Sequence, residues 1–224
     1  MPTIPNRIEC YDISTTQGTA IVASRVVFVM GVPKKAEYRR FNIRSVDHKG
    51  PDDYQSMREA LTRRLNRWKQ AHDDPVPAMP GKEDRDETWR LLPDLFLIDG
   101  GKGQLGIAIE VLTEFGLFGK VPVVALAKQF EELYLPGQPA PVILPRRSDA
   151  LSLVQRVLAQ VRHTLRILAD MRRHGAFPER GDKLLVLILR VGPQGDLPLR
   201  RTLIFPPHPF VQHLQRRLAF RPRA

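Results

Sequence analysis

Residues 93–104, PDLFLIDGGKGQ, limit what this chain can fold into more than any other stretch. An apolar run stops at a carboxylate, and a glycine-rich turn follows at once. Such a run with a sharp stop predicts a buried strand, with Asp99 at its C-terminal end. Gly100, Gly101 and Gly103 let backbone approach a ligand closely. A fixed carboxylate beside such a turn and Lys102 suits a metal ion and a phosphate. The same residues equally describe a strand-to-helix turn in which Asp99 caps the next helix.

The chain has 224 residues, enough for one full core and a small appendage. No apolar run reaches the roughly 18 residues of a membrane span. The N-terminus, MPTIPNRIECYD, lacks the apolar core of a signal peptide, so the expected location is the cytoplasm, with no membrane partner. Cys10 is the single cysteine, which excludes an internal disulfide and a cysteine-cluster zinc site. The net charge of +11 points to a polyanionic partner. It is unevenly spread: residues 158–224 hold 13 Lys+Arg against 4 Asp+Glu, whereas residues 1–157 hold 22 against 20.

Strands are expected over residues 7–14, 21–30 and 36–43, with a turn at Gly31-Val32-Pro33. In residues 52–71, Met57, Leu61, Leu65 and Trp68 recur at helical spacing, and Asp52 or Asp53 caps the start. Residues 72–93 carry prolines and mixed charge, and read as a surface loop. The Asp99 strand follows, then a helix over 104–115, a buried strand over 121–127 and a hairpin over 132–144 around Pro136-Gly137. Ser148 caps a third helix, whose stripe of Leu151, Val154, Leu158, Val161, Leu165 and Leu168 carries it to about Arg173. A three-strand meander followed by alternating helices and strands resembles the order of the ribonuclease H-like fold. The expected class is therefore α/β, a ribonuclease H-like mixed sheet flanked by helices, with an unrecognised basic C-terminal tail. That fold sets the first strand beside the fourth, bringing Asp12 to Asp99. Two close aspartates repel and call for a cation between them, and oxygen ligands favour Mg²⁺ or Mn²⁺. Such an ion activates water and stabilises charge on a phosphate. For Asp12 taken alone, a strand-end aspartate bonded to a turn remains the alternative.

The segments RIECYDIS, KKAEYRRF, GPDDYQSMREALTRR, LPDLFLIDGGKGQL, VPVVALAK and LPRRSDALSLVQRV resemble, in order and spacing, the C-terminal half of UvrC. The likeness runs from about residue 7 to 157 and has an extra loop near 72–90. UvrC is the incision subunit of bacterial nucleotide excision repair. The resemblance implies a metal-dependent endonuclease that cuts damaged double-stranded DNA on the 5′ side of a lesion, together with UvrB. It implies a catalytic set of two aspartates and a histidine. Asp12 in YDIS and Asp99 in IDGG match the aspartates, as ligands of Mg²⁺ or Mn²⁺. Lys102 and Gln104 match the GGKGQ turn and imply a phosphate-facing role. Arg39 and Arg40 are candidates for the DNA backbone, or for a solvated strand face.

Beyond Val157 the likeness fades. The family continues roughly R-D-E-A-H-R-F-A, where this chain has Leu158-Ala159-Gln160-Val161-Arg162-His163-Thr164. Ungapped alignment sets Arg162 at the family's histidine. His163 comes one residue late, about 100° round a helix, and is the candidate third catalytic residue or an ordinary surface histidine. The domains are read as a nuclease domain over 1–157 and a divergent basic tail over 158–224, foreign or rearranged in origin. The alternative function is a catalytically impaired UvrC fragment that only binds nucleic acid.

Overall fold

A computed structural model describes residues 4–16, 20–45, 52–73, 87–127 and 132–173. The chain divides into two compact units, Met1–Leu165 and Arg166–Ala224. Of the second, the described part is the last turns of a helix that ends at Arg173, and the expectations for residues 174–224 lie outside the described residues.

The first unit is built on β1 (Arg7–Thr16) and β2 (Ala20–Val29), antiparallel along their whole length from Arg7↔Val29 to Thr16↔Ala20. Valine-rich β2 suits a pleated surface covered on both sides. At its end Met30 (φ 52°) and Gly31 (φ 73°) make a two-residue turn into β3 (Val32–Pro33). Positive φ at both turn positions matches the right-handed twist of the strands; glycine takes it freely, whereas methionine is strained there.

The strand expected over 36–43 is shorter. Lys35–Glu37 form a 3-10 turn, and β4 covers only Arg39–Asn42. Glu37 is the cause. Its carbonyl accepts from Arg25 at 2.9 Å, and its carboxylate pairs with Arg7 at 2.6 Å. Two buried arginines thus hold residue 37 out of the extended path.

Helix α1 (Asp53–Asp73) starts where Asp52 Oδ1 accepts from the Tyr54 and Gln55 N–H groups. β5 (Leu95–Asp99) follows, buried at all five positions. Then come α2 (Lys102–Glu114), β6 (Val123–Ala127), the pair β7 (Glu132–Tyr134) and β8 (Val142–Ile143), and α3 (Asp149–Arg173). Ser148 Oγ accepts from the Leu151 N–H at 3.2 Å, the expected cap. The sheet order is β3-β2-β1-β5-β6-β7-β8, with β4 also on β2. β5 runs parallel to both β1 and β6, while the other pairs are antiparallel.

Alternation along the strands gives the sheet two buried faces. One carries Tyr11, Phe41, Phe96 and Ile98 against Met57, Leu61 and Leu65 of α1 and Leu105, Val111 and Leu112 of α2. The other carries Cys10, Asp12, Ser24 and Asp99, where Ser24 Oγ donates to the Val161 carbonyl of α3 at 3.5 Å. Leu151, Val157, Leu158, Val161 and Leu165 form the buried stripe of α3 within this unit.

The loop expected over 72–93 departs at two places among its described residues: α1 runs on through Asp73, and a short turn forms near the loop's end. Glu87–Arg90 form a 3-10 turn that buries Trp89, 7% exposed, under the guanidinium of Arg25 at 4.4 Å. No helix among the described residues is long and apolar enough to cross a membrane.

Candidate active site

β1 and β5 are paired Cys10↔Leu97 and Tyr11↔Ile98. One residue further, Asp12 and Asp99 stand on neighbouring strands and the same face. Parallel neighbours lie about 4.8 Å apart, so the two side chains share one patch of surface. They are 5% and 3% exposed. Past Asp99 the Gly100 N–H still donates to the Leu126 carbonyl of β6 at 3.0 Å, and α2 begins at Lys102. Cys10, two residues before Asp12, faces the same patch. Burial pushes its thiol well above the usual range, and the charges of Asp99 and Asp12 push it further.

α3 lays a cation on this pair. Arg162 Nε donates to Asp99 Oδ2 at 2.6 Å and Nη2 donates to Oδ1 at 2.9 Å. This is the bidentate fork that guanidinium and carboxylate form. The hydrogen bond to Asp99 holds the Arg162 pKa above its ordinary value, and the charges of Asp99 and Asp12 add to it. Arg162 follows Val161 on the border of the buried stripe. Its side chain is 35% exposed, whereas that of Asp99 is 0% exposed. On Asp12, Oδ1 accepts from the Ile13 N–H at 2.8 Å, which orients the carboxylate.

Two adjacent buried carboxylates fit a hard divalent ion in donor chemistry and charge. Among the described residues no three His, Cys, Asp or Glu side chains gather as a metal-binding group, so His163 does not complete one with Asp12 and Asp99. It is half-buried on α3, one residue past Arg162.

The glycine turn uses its side chains locally. Gln104 Oε1 accepts from the Gly101 N–H at 2.8 Å. Gly100 is needed for that return, since a Cβ there would lie 2.5 Å from Gln104 Oε1. Lys102 Nζ donates to the Pro139 carbonyl at 2.7 Å and lies 5.3 Å over the Tyr134 ring. Both residues sit at the start of α2, next to Asp99.

Arg39 and Arg40 fall on opposite faces. The register Asp12↔Ser24↔Arg40 runs in line across β1, β2 and β4, so Arg40 shares the aspartates' face about 10 Å from Asp12. Arg39 pairs with Arg25 in register and lies against Trp89 at 5.6 Å, its Nη1 donating to the Ala36 and Tyr38 carbonyls.

A mixed sheet in this order, helices on both sides and two acidic positions side by side on its central parallel strands, is the ribonuclease H-like arrangement. The model of the UvrC RNase H endonuclease domain matches residues 1–164, and the chain belongs to that family. Among its relatives, the UvrABC system protein C of Parafrankia sp. is 46% identical over 171 residues, covering 70% of this chain and 24% of the relative. That of Carboxydothermus hydrogenoformans is 43% identical over 173 residues, covering 77% and 27%. That of Salinibacter ruber is 38% identical over 194 residues, covering 81% and 28%. The chain thus spans about a quarter of the length of these curated relatives. Among solved structures, Ciona intestinalis endonuclease V with an inosine-containing DNA has a TM-score of 0.35 at 15% identity, covering 70% of this chain and 56% of that one. So distant a likeness carries no functional inference.

Proposed function

We propose that the chain is a metal-dependent DNA endonuclease domain of nucleotide excision repair, hydrolysing a phosphodiester 5′ to a lesion in duplex DNA. The observation that carries this reading is the side-by-side placement of Asp12 and Asp99 on β1 and β5. In this reading the two aspartates hold Mg²⁺ or Mn²⁺, and the bound ion supplies an activated water and a counter-charge for the phosphate. The Ile13 N–H fixes the Asp12 carboxylate, and Asp99 stands at the buried end of β5. α3 covers one side of the patch and excludes water there. Arg40, on the same face, and Lys102, at the start of α2, add positive charge along the path of a DNA strand, and Gln104 holds the turn that presents Lys102. In this reading α3 completes the nuclease unit as far as Leu165, beyond the boundary expected at 157, and the basic residues after it add nucleic-acid affinity that weakens with salt. Working beside UvrB on damaged duplex, in the cytoplasm, is the setting that the family membership supports.

A second reading is favoured by one observation, the guanidinium of Arg162 on both oxygens of Asp99. A domain with that contact unbroken binds nucleic acid and cleaves it slowly or not at all. A nicking assay on lesion-containing duplex with Mg²⁺ or Mn²⁺ separates the two. The nuclease reading expects nicking by the wild type that Asp12→Ala and Asp99→Ala each abolish. Nicking that survives both substitutions would sink the site. Equal inactivity of all three proteins, with DNA binding retained, would establish the second reading.

A further inference from the structure

We propose that Arg162 is a resident counter-cation of the aspartate pair, and that a divalent ion binds only by displacing it from Asp99. The inference rests on the ion-site reading above and adds to it a competitor built into the chain.

The geometry makes the two cations alternatives. Both Asp99 oxygens accept from one guanidinium, at 2.6 and 2.9 Å. Asp12 and Asp99 would hold an ion through at least one of those oxygens, and it would then stand beside a positive charge. The single guanidinium charge offsets one of the pair's two negative charges, through Asp99. The carboxylate is fixed while the arginine can leave: the Asp99 side chain is 0% exposed and that of Arg162 is 35% exposed. A long side chain at the border of a helix stripe reaches water by rotamer changes alone, with no backbone movement. A charge-assisted bidentate contact of this kind is worth enough to weaken a competing ligand by about tenfold or more.

The test is Mn²⁺ binding to the full 224-residue chain, read from the electron paramagnetic resonance signal of free Mn²⁺. Arg162→Gln is expected to bind Mn²⁺ at least about tenfold more tightly than wild type, with Arg162→Lys between them, since a lysine gives up the fork but keeps the charge. Equal or weaker binding by Arg162→Gln would overturn the inference and leave the nuclease reading standing, because that reading depends on Asp12 and Asp99. Failure of every protein to bind Mn²⁺ at millimolar concentration would overturn both.

A second measurement needs no variant. The Arg162 Nε–H resonance of the wild type, slowed in exchange by Asp99, is expected to shift or vanish as Mg²⁺ is added, in step with ion binding. A resonance unmoved at saturating Mg²⁺ would show that ion and arginine coexist, and would overturn the displacement.

Discussion

Two neighbouring strands of the sheet each carry a carboxylate that an arginine meets, Glu9 of β1 on one face and Asp99 of β5 on the other. On the α1 side Glu9 meets Arg64 at 2.9 Å, Arg7 at 3.3 Å and Arg25 at 3.6 Å. The Glu9, Arg25 and Arg64 side chains are 0% exposed. Arg64 also donates to the Trp89 and Leu91 carbonyls, and Tyr11 donates to Glu9 at 2.8 Å. On the α3 side Asp99 meets one arginine, and a third of that arginine's surface faces water. The same two chemical groups therefore make a locked strut on one face and an exchangeable contact on the other. What differs is burial and the number of partners. Removing one member of a fully buried ion pair strands a charge that nothing can solvate, whereas a partly exposed arginine has water as its second choice.

The largest effect that tests this contrast is on Glu9. Glu9→Ala leaves buried arginines uncompensated and is expected to cost about 3–5 kcal/mol in urea unfolding. Acid should act on the same group. Burial alone would raise the Glu9 carboxyl, but Arg25, Arg64 and Arg7 outweigh it and draw it from 4.5 down to about 2. A depressed acid contributes its full stabilisation above its unfolded pKa and loses it as pH falls through the folded one. Wild type should thus lose roughly 3 kcal/mol relative to Glu9→Gln between pH 4.5 and 2, read from paired urea titrations. Parallel curves for the two proteins would break the strut account.

Substitutions on the other face should be mild. Asp99→Asn removes an attraction to Arg162 and a repulsion from Asp12 together, and Arg162→Gln removes a partly exposed partner. Each is expected to cost about 1–2 kcal/mol, less than the loss in Glu9→Ala. A loss comparable to that of Glu9→Ala would mean that the Asp99 contact is also structural. Smallest is a control outside both clusters. Met30 is 72% exposed and held at φ 52°, so Met30→Asn should gain about 0.5 kcal/mol in the same assay.

Much of the second cluster was readable in the chain, and almost none of the first. Asp12 and Asp99 announce themselves because each ends or interrupts an apolar strand pattern, and the element order brings their strands together. The register of α3 sets Arg162 at its position, but its pairing depends on which strand end that helix covers, which periodicity does not encode. Glu9 lies in RIECYDIS as one more polar residue in an alternating strand, and its partner Arg64 is 55 residues away on a helix. Trp89 was missed for a related reason: a lone aromatic among prolines and charges has no period. The strand expected over 36–43 failed at Glu37 because Arg7 and Arg25 outcompete the sheet for that residue. Lys102 and Gln104, expected on the glycine turn, lie in the first turn of α2, and their hydrogen bonds go to Pro139 and Gly101. Residue type says that a lysine seeks an acceptor; the fold decides which one is nearest.

The central claim is that one face of β1 carries a cation site and the other a strut. Mn²⁺ titration of wild type, Asp12→Asn, Asp99→Asn and Glu9→Gln, each first checked for folding, tests it most directly. The account predicts a single site in wild type, retained by folded Glu9→Gln and lost in both aspartate variants. Binding that persists unchanged in Asp12→Asn and Asp99→Asn would contradict it.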